Sequence, residues 1–166
     1  MTNAEHKYHT LLDASSAVAG QPTVKAVLQS LRSVLSSSCR LHGAELGILG
    51  DDGQTLHGYE FDRDADAPAI ETAGKISRIG ATARVLDEQK PVFLPDIAPE
   101  MLKHPELAPF AAETAGRSAY LFPVSTSQKR YGVLAVTKLQ GDEFLPDDVE
   151  LLRSMALHVG SHWSAR

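Results

Sequence analysis

The feature that most constrains this chain is its hydrophobic period, which changes twice. At both ends apolar residues recur every three or four positions, as on one face of a helix. Val24, Val27, Leu28, Leu31, Val34 and Leu35 form one such face, and Val149, Leu152, Met155, Ala156, Val159 and Trp163 form another. A shorter run, Leu11, Leu12 and Val18, is set off from the first by Gly20 and Pro22, a helix stop followed by a helix start. Between these ends the helical period gives way to short strands and turns. A chain that begins and ends in helix around a set of hairpins must be built on a sheet with helices packed against it.

The central stretch can be read piece by piece. Ala44 to Leu49 predicts a strand, Gly50-Asp51-Asp52-Gly53 a tight turn, and Gln54 to Phe61 the return strand of a hairpin. Asp62 to Pro68 is acidic and polar, and reads as an exposed loop. Ile79 to Gln89 predicts a helix with Ser77 as its N-cap, ended by Lys90-Pro91, and Val92-Phe93-Leu94 a short strand. Pro95, Pro99, Pro105 and Pro109 forbid one continuous helix before Gly116. That segment has room for two short helices, near Glu100–Lys103 and Pro109–Ala115, and a long excursion of this kind suits a lid. Ser118 to Val124 and Tyr131 to Leu139 predict a second hairpin, with Pro123 and Gly132 as hairpin and edge punctuation. Pro146-Asp147-Asp148 opens the last helix. The expected order is α-α-β-β-α-β-lid-β-β-α. It predicts an α+β fold with a central, mostly antiparallel sheet of five to six strands, terminal helices on one face, and a middle helix plus lid on the other.

Length and charge narrow the function. The 166 residues suit one domain, with its core over about 11–162. A formal charge of −5 gives the chain no electrostatic reason to seek nucleic acid. No apolar run approaches the roughly 20 residues of a membrane helix, and Met1 to Thr10 lacks the apolar core of a secretion signal. The expectation is a cytoplasmic protein without direct nucleic-acid or membrane contact. Cys39 is the one cysteine, which excludes an internal disulfide and a cysteine-rich metal site. Neither of the common phosphate-binding glycine loops is present. His158 and His162 share a helix face, as do His6 and His9, but neither pair has a third ligand nearby. No metal is expected, and no cofactor can be named.

Several motifs, taken in order, resemble the GAF family of regulatory domains. Leu46-Gly47-Ile48-Leu49 with Asp51-Asp52-Gly53 is similar to that family's first hairpin. Gly80 to Gln89 followed by Lys90-Pro91-Val92-Phe93-Leu94-Pro95-Asp96 is similar to its middle helix and following strand. Ser118 to Val124 with Tyr131-Gly132-Val133-Leu134 resembles its later hairpin, and Phe144-Leu145-Pro146-Asp147-Asp148 the start of its closing helix. The resemblance implies a small-molecule pocket between sheet and lid. Of the cyclic-nucleotide signature in that family, Lys138, Phe144 and Asp148 are present; its Asn and Glu are not. The position of Cys39 does not match the pigment-bearing cysteine of bilin-binding relatives. Relatives that reduce free methionine sulfoxide use several cysteines, so the expectation is that this chain is not an enzyme.

The resemblance thus implies a sensor that binds a ligand and signals through its helices to an attached or separate output. It is most similar to sensor regions of bacterial two-component and sigma-54-dependent transcription regulators, the formate hydrogenlyase activator group included. The alternative is a ligand-free dimerisation module. The two terminal seams predict a homodimer. Candidate ligand contacts are Tyr59 and Phe61, which alternate with His57 on the second strand, Arg84 on the middle helix, and Asp96 after the short strand. Arg117 and Ser118 at the lid exit, Tyr120 and Phe122 on the strand beyond, and Thr137 on the neighbouring strand complete the set. Tyr120 and Phe122 are an aromatic wall if their face looks to the lid, and core if it does not.

Overall fold

A computed structural model of the chain describes residue 5 and residues 39–62, 70–77, 80–105 and 107–164. The two helices expected before Cys39 lie outside the described residues. Six strands, β1 (Gly43–Leu49), β2 (Thr55–Asp62), β3 (Ile70–Ser77), β4 (Val92–Leu94), β5 (Ser118–Ser125) and β6 (Arg130–Lys138), form one sheet in the order β3-β2-β1-β6-β5-β4. Every described pairing is antiparallel. Helix α1 (Gly80–Glu88) links β3 to β4, α2 (Ile97–Leu102) opens the lid, and α3 (Pro146–Ser164) closes the described fold.

Local chemistry accounts for the joints. In the β1–β2 turn, Asp52 Oδ1 accepts from the backbone N–H of Gln54 and of Thr55, both at 3.0 Å. Gly53 takes φ +69°, where a side chain is strained. Helix α1 stops at Gln89, itself left-handed at φ +55°, just before Pro91. Pro146 occupies the first position of α3, and Asp148 Oδ2 reaches back 3.2 Å to accept from the Leu145 N–H. That is half of a capping box.

Alternation along the strands splits the core in two. Ala44, Leu46, Phe122, Val124, Leu134 and Val136 pack against Leu152, Met155, Ala156 and Val159 of α3, with buried Cys39 and Leu41 beside them. On the other face Ala119, Leu121 and Val133 pack against Ala81, Val85 and Leu86 of α1 and against Ile97 of the lid. The apolar stripe that marked the last helix in the sequence is therefore consumed within the chain.

Three details differ from the sequence reading. The strand Ile70–Ser77 was not anticipated, and Ser77 pairs with Thr55 at the end of β3 and does not cap α1. Its Ala73-Gly74-Lys75 centre has low strand propensity, and as an edge strand it is held by pairing with β2 alone. The second lid helix is a pair of 3₁₀ turns, Ala108–Phe110 and Ala112–Thr114. Gly132 is not edge punctuation: it is buried in a central strand opposite Ile48. A Cβ there would fall on the Gly47 carbonyl oxygen, so only glycine lets β1 and β6 approach.

Candidate functional site

The lid leaves the sheet after β4 and returns at β5, and its neck is clasped. Asp96 Oδ1 accepts from the Ala98 N–H at 3.1 Å and from the Gly116 N–H at 3.3 Å. The Ile97 N–H donates to the Arg117 carbonyl at 2.9 Å. An excursion whose ends are tied in this way holds its shape as a unit. Within it the Thr114 hydroxyl donates to Ala111 O at 3.1 Å and lies 3.3 Å from Met101 Sδ, joining the 3₁₀ turns to α2.

Beneath this lid lies a cavity of about 260 Å³. The sheet supplies Glu45 from β1, Ala135 and Thr137 from β6, and His42 from the residues just before β1. The lid supplies Ile97, Met101, Thr114 and Arg117. One wall is thus apolar, and the polar residues Arg117, Glu45, His42, Thr114 and Thr137 line the rest. The Thr137 hydroxyl lies 3.4 Å from the Gly43 carbonyl. Arg117 can form two parallel hydrogen bonds to a carboxylate or phosphate.

The expected contact residues fall in different places. Arg117 and Thr137 line the cavity. Asp96 stands at the neck of the lid, its carboxylate engaged by backbone N–H groups. Ser118 borders a separate hollow with Phe93 and Phe144. Arg84 is exposed on α1, whose buried residues are Ala81, Val85 and Leu86; the helix turns it away from the sheet and outside the cavity. Tyr120 and Phe122 lie on the face opposite the lid and pack into the α3 core. Their rings stack at 5.1 Å, with Phe144 edge-on to Tyr120 at 5.4 Å. The aromatic wall is therefore core packing, because even-numbered residues of β5 face α3. Tyr59 and Phe61 stand opposite Leu46 and Ala44 in the ladder, and their side chains lie outside the described part of the structure. His42, Glu45, Met101 and Thr114 line the cavity without having been singled out. Glu45 follows from the alternation that buries Ala44 and Leu46 on the other face, but the lid residues depend on how the loop folds back.

Lys138, Phe144 and Asp148 come together as scaffold on the α3 face. The Lys138 ammonium, 3% exposed as a residue, donates to the Glu143 carbonyl at 2.9 Å and pairs with Asp148 at 3.2 Å. It also lies 5.1 Å from the centre of the Phe144 ring. Cys39 is buried nearby, and its thiol is pushed up from 9.0 to about 12, first by burial and then by the Asp148 charge, with Lys138 opposing. A thiol held protonated in this way is a poor nucleophile.

The folded pKa of Cys39 lies above its unfolded value, so its contribution to stability is complete below pH 9 and is lost as pH rises from about 9 towards 12. The slope in that window reaches about 1.4 kcal/mol per pH unit. Urea unfolding across alkaline pH should show this extra slope in the wild type and lose it in Cys39→Ala. Parallel curves for the two proteins would contradict the assignment.

The GAF domain family model matches residues 27–163, and the chain belongs to that family. A search of curated proteins gave no match. Among similar solved structures is the GAF domain of an Acinetobacter phosphoenolpyruvate-protein phosphotransferase, 15% identical, with TM-score 0.72 over 99% of this chain and 95% of that one. The GAF domain of a Bacillus halodurans two-component sensor histidine kinase is 15% identical, with TM-score 0.68 over 87% and 96%. A free methionine-R-sulfoxide reductase from Neisseria meningitidis, in complex with its substrate, is 18% identical, with TM-score 0.70 over 99% and 92%.

The last of these corrects one expectation. Counting cysteines led to the exclusion of an enzyme, and that exclusion does not stand, because the same fold serves a reductase at comparable similarity. A cysteine count bears on one thiol cycle and not on every reaction the fold can host. What the structure adds concerns Cys39 alone. Among the described residues no group of three or more His, Cys, Asp or Glu is placed to hold a metal ion, and no helix is long and apolar enough to cross a membrane.

Proposed function

We propose that this chain is a regulatory domain that binds a small anionic metabolite between sheet and lid and reports through its terminal helix. The observation that carries the reading is the cavity under the clasped lid, where Arg117 is set among His42, Glu45, Thr114, Thr137 and an apolar wall. At about 260 Å³ it lies just below the usual range of small-molecule pockets, which starts near ~300 Å³, so the ligand is small. A ligand-free dimerisation module, the alternative, gives that cavity no use.

The route to the terminal helix is short. Arg117 directly precedes β5, and β5 lies under α3. At the far end of β5, a Cβ on Gly160 of α3 would lie 2.6 Å from the Ser125 carbonyl oxygen, so helix and strand are in direct contact. Any shift of β5 imposed from the lid must displace α3. The output we propose is a transcription or signalling domain, attached or separate. The sigma-54-dependent, formate hydrogenlyase activator-like context rests on the motif resemblance. The proposed homodimer falls to the 24–35 seam, outside the described residues, because the seam of α3 is buried within the chain. A cytoplasmic location is part of the proposal and rests on the unpaired Cys39.

A thermal-shift screen of small carboxylates and phosphates tests the reading, since a ligand that binds only the folded state raises its melting temperature. At a hundredfold excess over Kd the stabilisation is about 2.7 kcal/mol. We expect a hit whose shift is lost in Arg117→Ala and kept in Arg84→Ala. A hit indifferent to Arg117, or no hit across the screen, would refute it.

A further inference from the structure

A second cavity, of about 780 Å³, lies away from the lid. It is a groove between the β5–β6 turn, the end of α1 and the outer face of α3. Lys129, Arg130 and Arg153 line it, and among the described residues no carboxylate does. In a chain of net charge −5 this is a local reversal of sign. The Arg130 and Arg153 side chains are exposed and make no hydrogen bond or ion pair with another described side chain. Lys129 rests 5.2 Å from the Tyr131 ring centre. The turn itself is ordered: Thr126 Oγ1 accepts from the Gln128 and Lys129 N–H groups at 3.3 and 3.2 Å.

The groove also has an apolar element. Leu157 of α3, one turn beyond Arg153, is 54% exposed and lines it together with Pro91 and Pro123. Arginines flanking an exposed leucine suit a partner that alternates acidic and apolar groups. Carboxylates would take the guanidinium forks, and an apolar side chain would cover Leu157. A free inorganic anion would use the cations and leave the leucine uncovered.

We propose that this groove docks an acidic segment of a protein partner, anchored by charge on Arg130 and Arg153 and by apolar contact on Leu157. Because the groove touches the outer face of α3 and the turn after β5, its occupant would sense the same strand and helix as the lid does. The proposal stands independently of the sheet–lid pocket.

The test is fluorescence anisotropy with a short labelled peptide of glutamates and one central leucine, and with its lysine counterpart. We expect the acidic peptide alone to bind, more weakly at higher salt. Binding should fall about tenfold or more in Arg130→Glu/Arg153→Glu, and severalfold in Leu157→Ala. Arg130→Gln/Arg153→Gln should give an intermediate loss, and Arg117→Ala none. These side chains lie at the surface, and unchanged melting temperatures would show that the variants fold. Equal binding to wild type and the double reversal would overturn the proposal. So would indifference to Leu157 with full competition by inorganic phosphate, which would mark a simple anion site. A dimer seen by light scattering and dissociated by Leu157→Ala would assign the groove to a second copy and overturn it as well.

Discussion

Gly132→Ala is expected to destabilise the fold by about 3 kcal/mol or more, whereas Gly47→Ala should cost about 1 kcal/mol or less. Both glycines lie in the ladder that joins β1 to β6, in adjacent register positions. A Cβ on Gly47 would meet Leu56 side-chain carbons at 3.6 Å and beyond, which is ordinary contact. A Cβ on Gly132 would meet the Gly47 carbonyl oxygen and lie 3.2 Å from the Ile48 Cα, both backbone atoms of the adjacent strand. A backbone cannot rotate away as a side chain can, so the strands must part. Their separation would break the ladder at the centre of the sheet. At about 2–4 °C per kcal/mol for a domain of this size, the melting temperature should fall by about 10 °C. A Gly132→Ala protein that melts with Gly47→Ala would show that the close approach is not required.

Asp148→Ala should be nearly as damaging, at about 3 kcal/mol. Asp148 has two functions. It pairs with Lys138, whose side chain is 4% exposed, and it accepts from the Leu145 N–H at the start of α3. Removing it leaves a buried ammonium that keeps, among the described residues, the Glu143 carbonyl and the Phe144 ring. It also uncaps the helix, a loss of about 1 kcal/mol. Asp148→Asn keeps an acceptor for the Leu145 N–H and should fall between. The cycle closes with Lys138→Met. Once the cation is gone, Asp148→Ala should cost far less, because no uncompensated charge remains. Equal costs of Asp148→Ala in both backgrounds would contradict the pairing.

The frame of the fold was legible because it is written in local patterns. The Asp52-Gly53 turn, the stop at Gln89-Lys90-Pro91 and the three-and-four spacing of Val149 to Trp163 each report on neighbours in sequence. β3 was missed because Ala73-Gly74-Lys75 interrupts the strand pattern at the centre of an edge strand. The site was only partly legible. Arg117 and Thr137, singled out from their places at the lid exit and on the adjacent strand, both line the cavity. Tyr120 and Phe122 went to the other face because alternation sets which residues share a side, not which side faces the lid. Arg84 illustrates the same limit on a helix: period 3.6 groups Ala81, Val85 and Leu86 and leaves Arg84 outward. His42 and Met101 belong to the site through the folding back of a lid that spans twenty residues of chain between the Asp96 and Gly116 partners. No periodicity encodes that.

Hydrogen exchange with and without a small anionic hit from the screen tests the central claim most directly. A ligand seated between sheet and lid should slow exchange in the lid, over residues 97–117, and in β6 near Thr137, with a smaller effect along α3. Arg117→Ala should abolish this protection. Protection confined to the β5–β6 turn, or a lid that exchanges at the same rate with and without ligand, would contradict it.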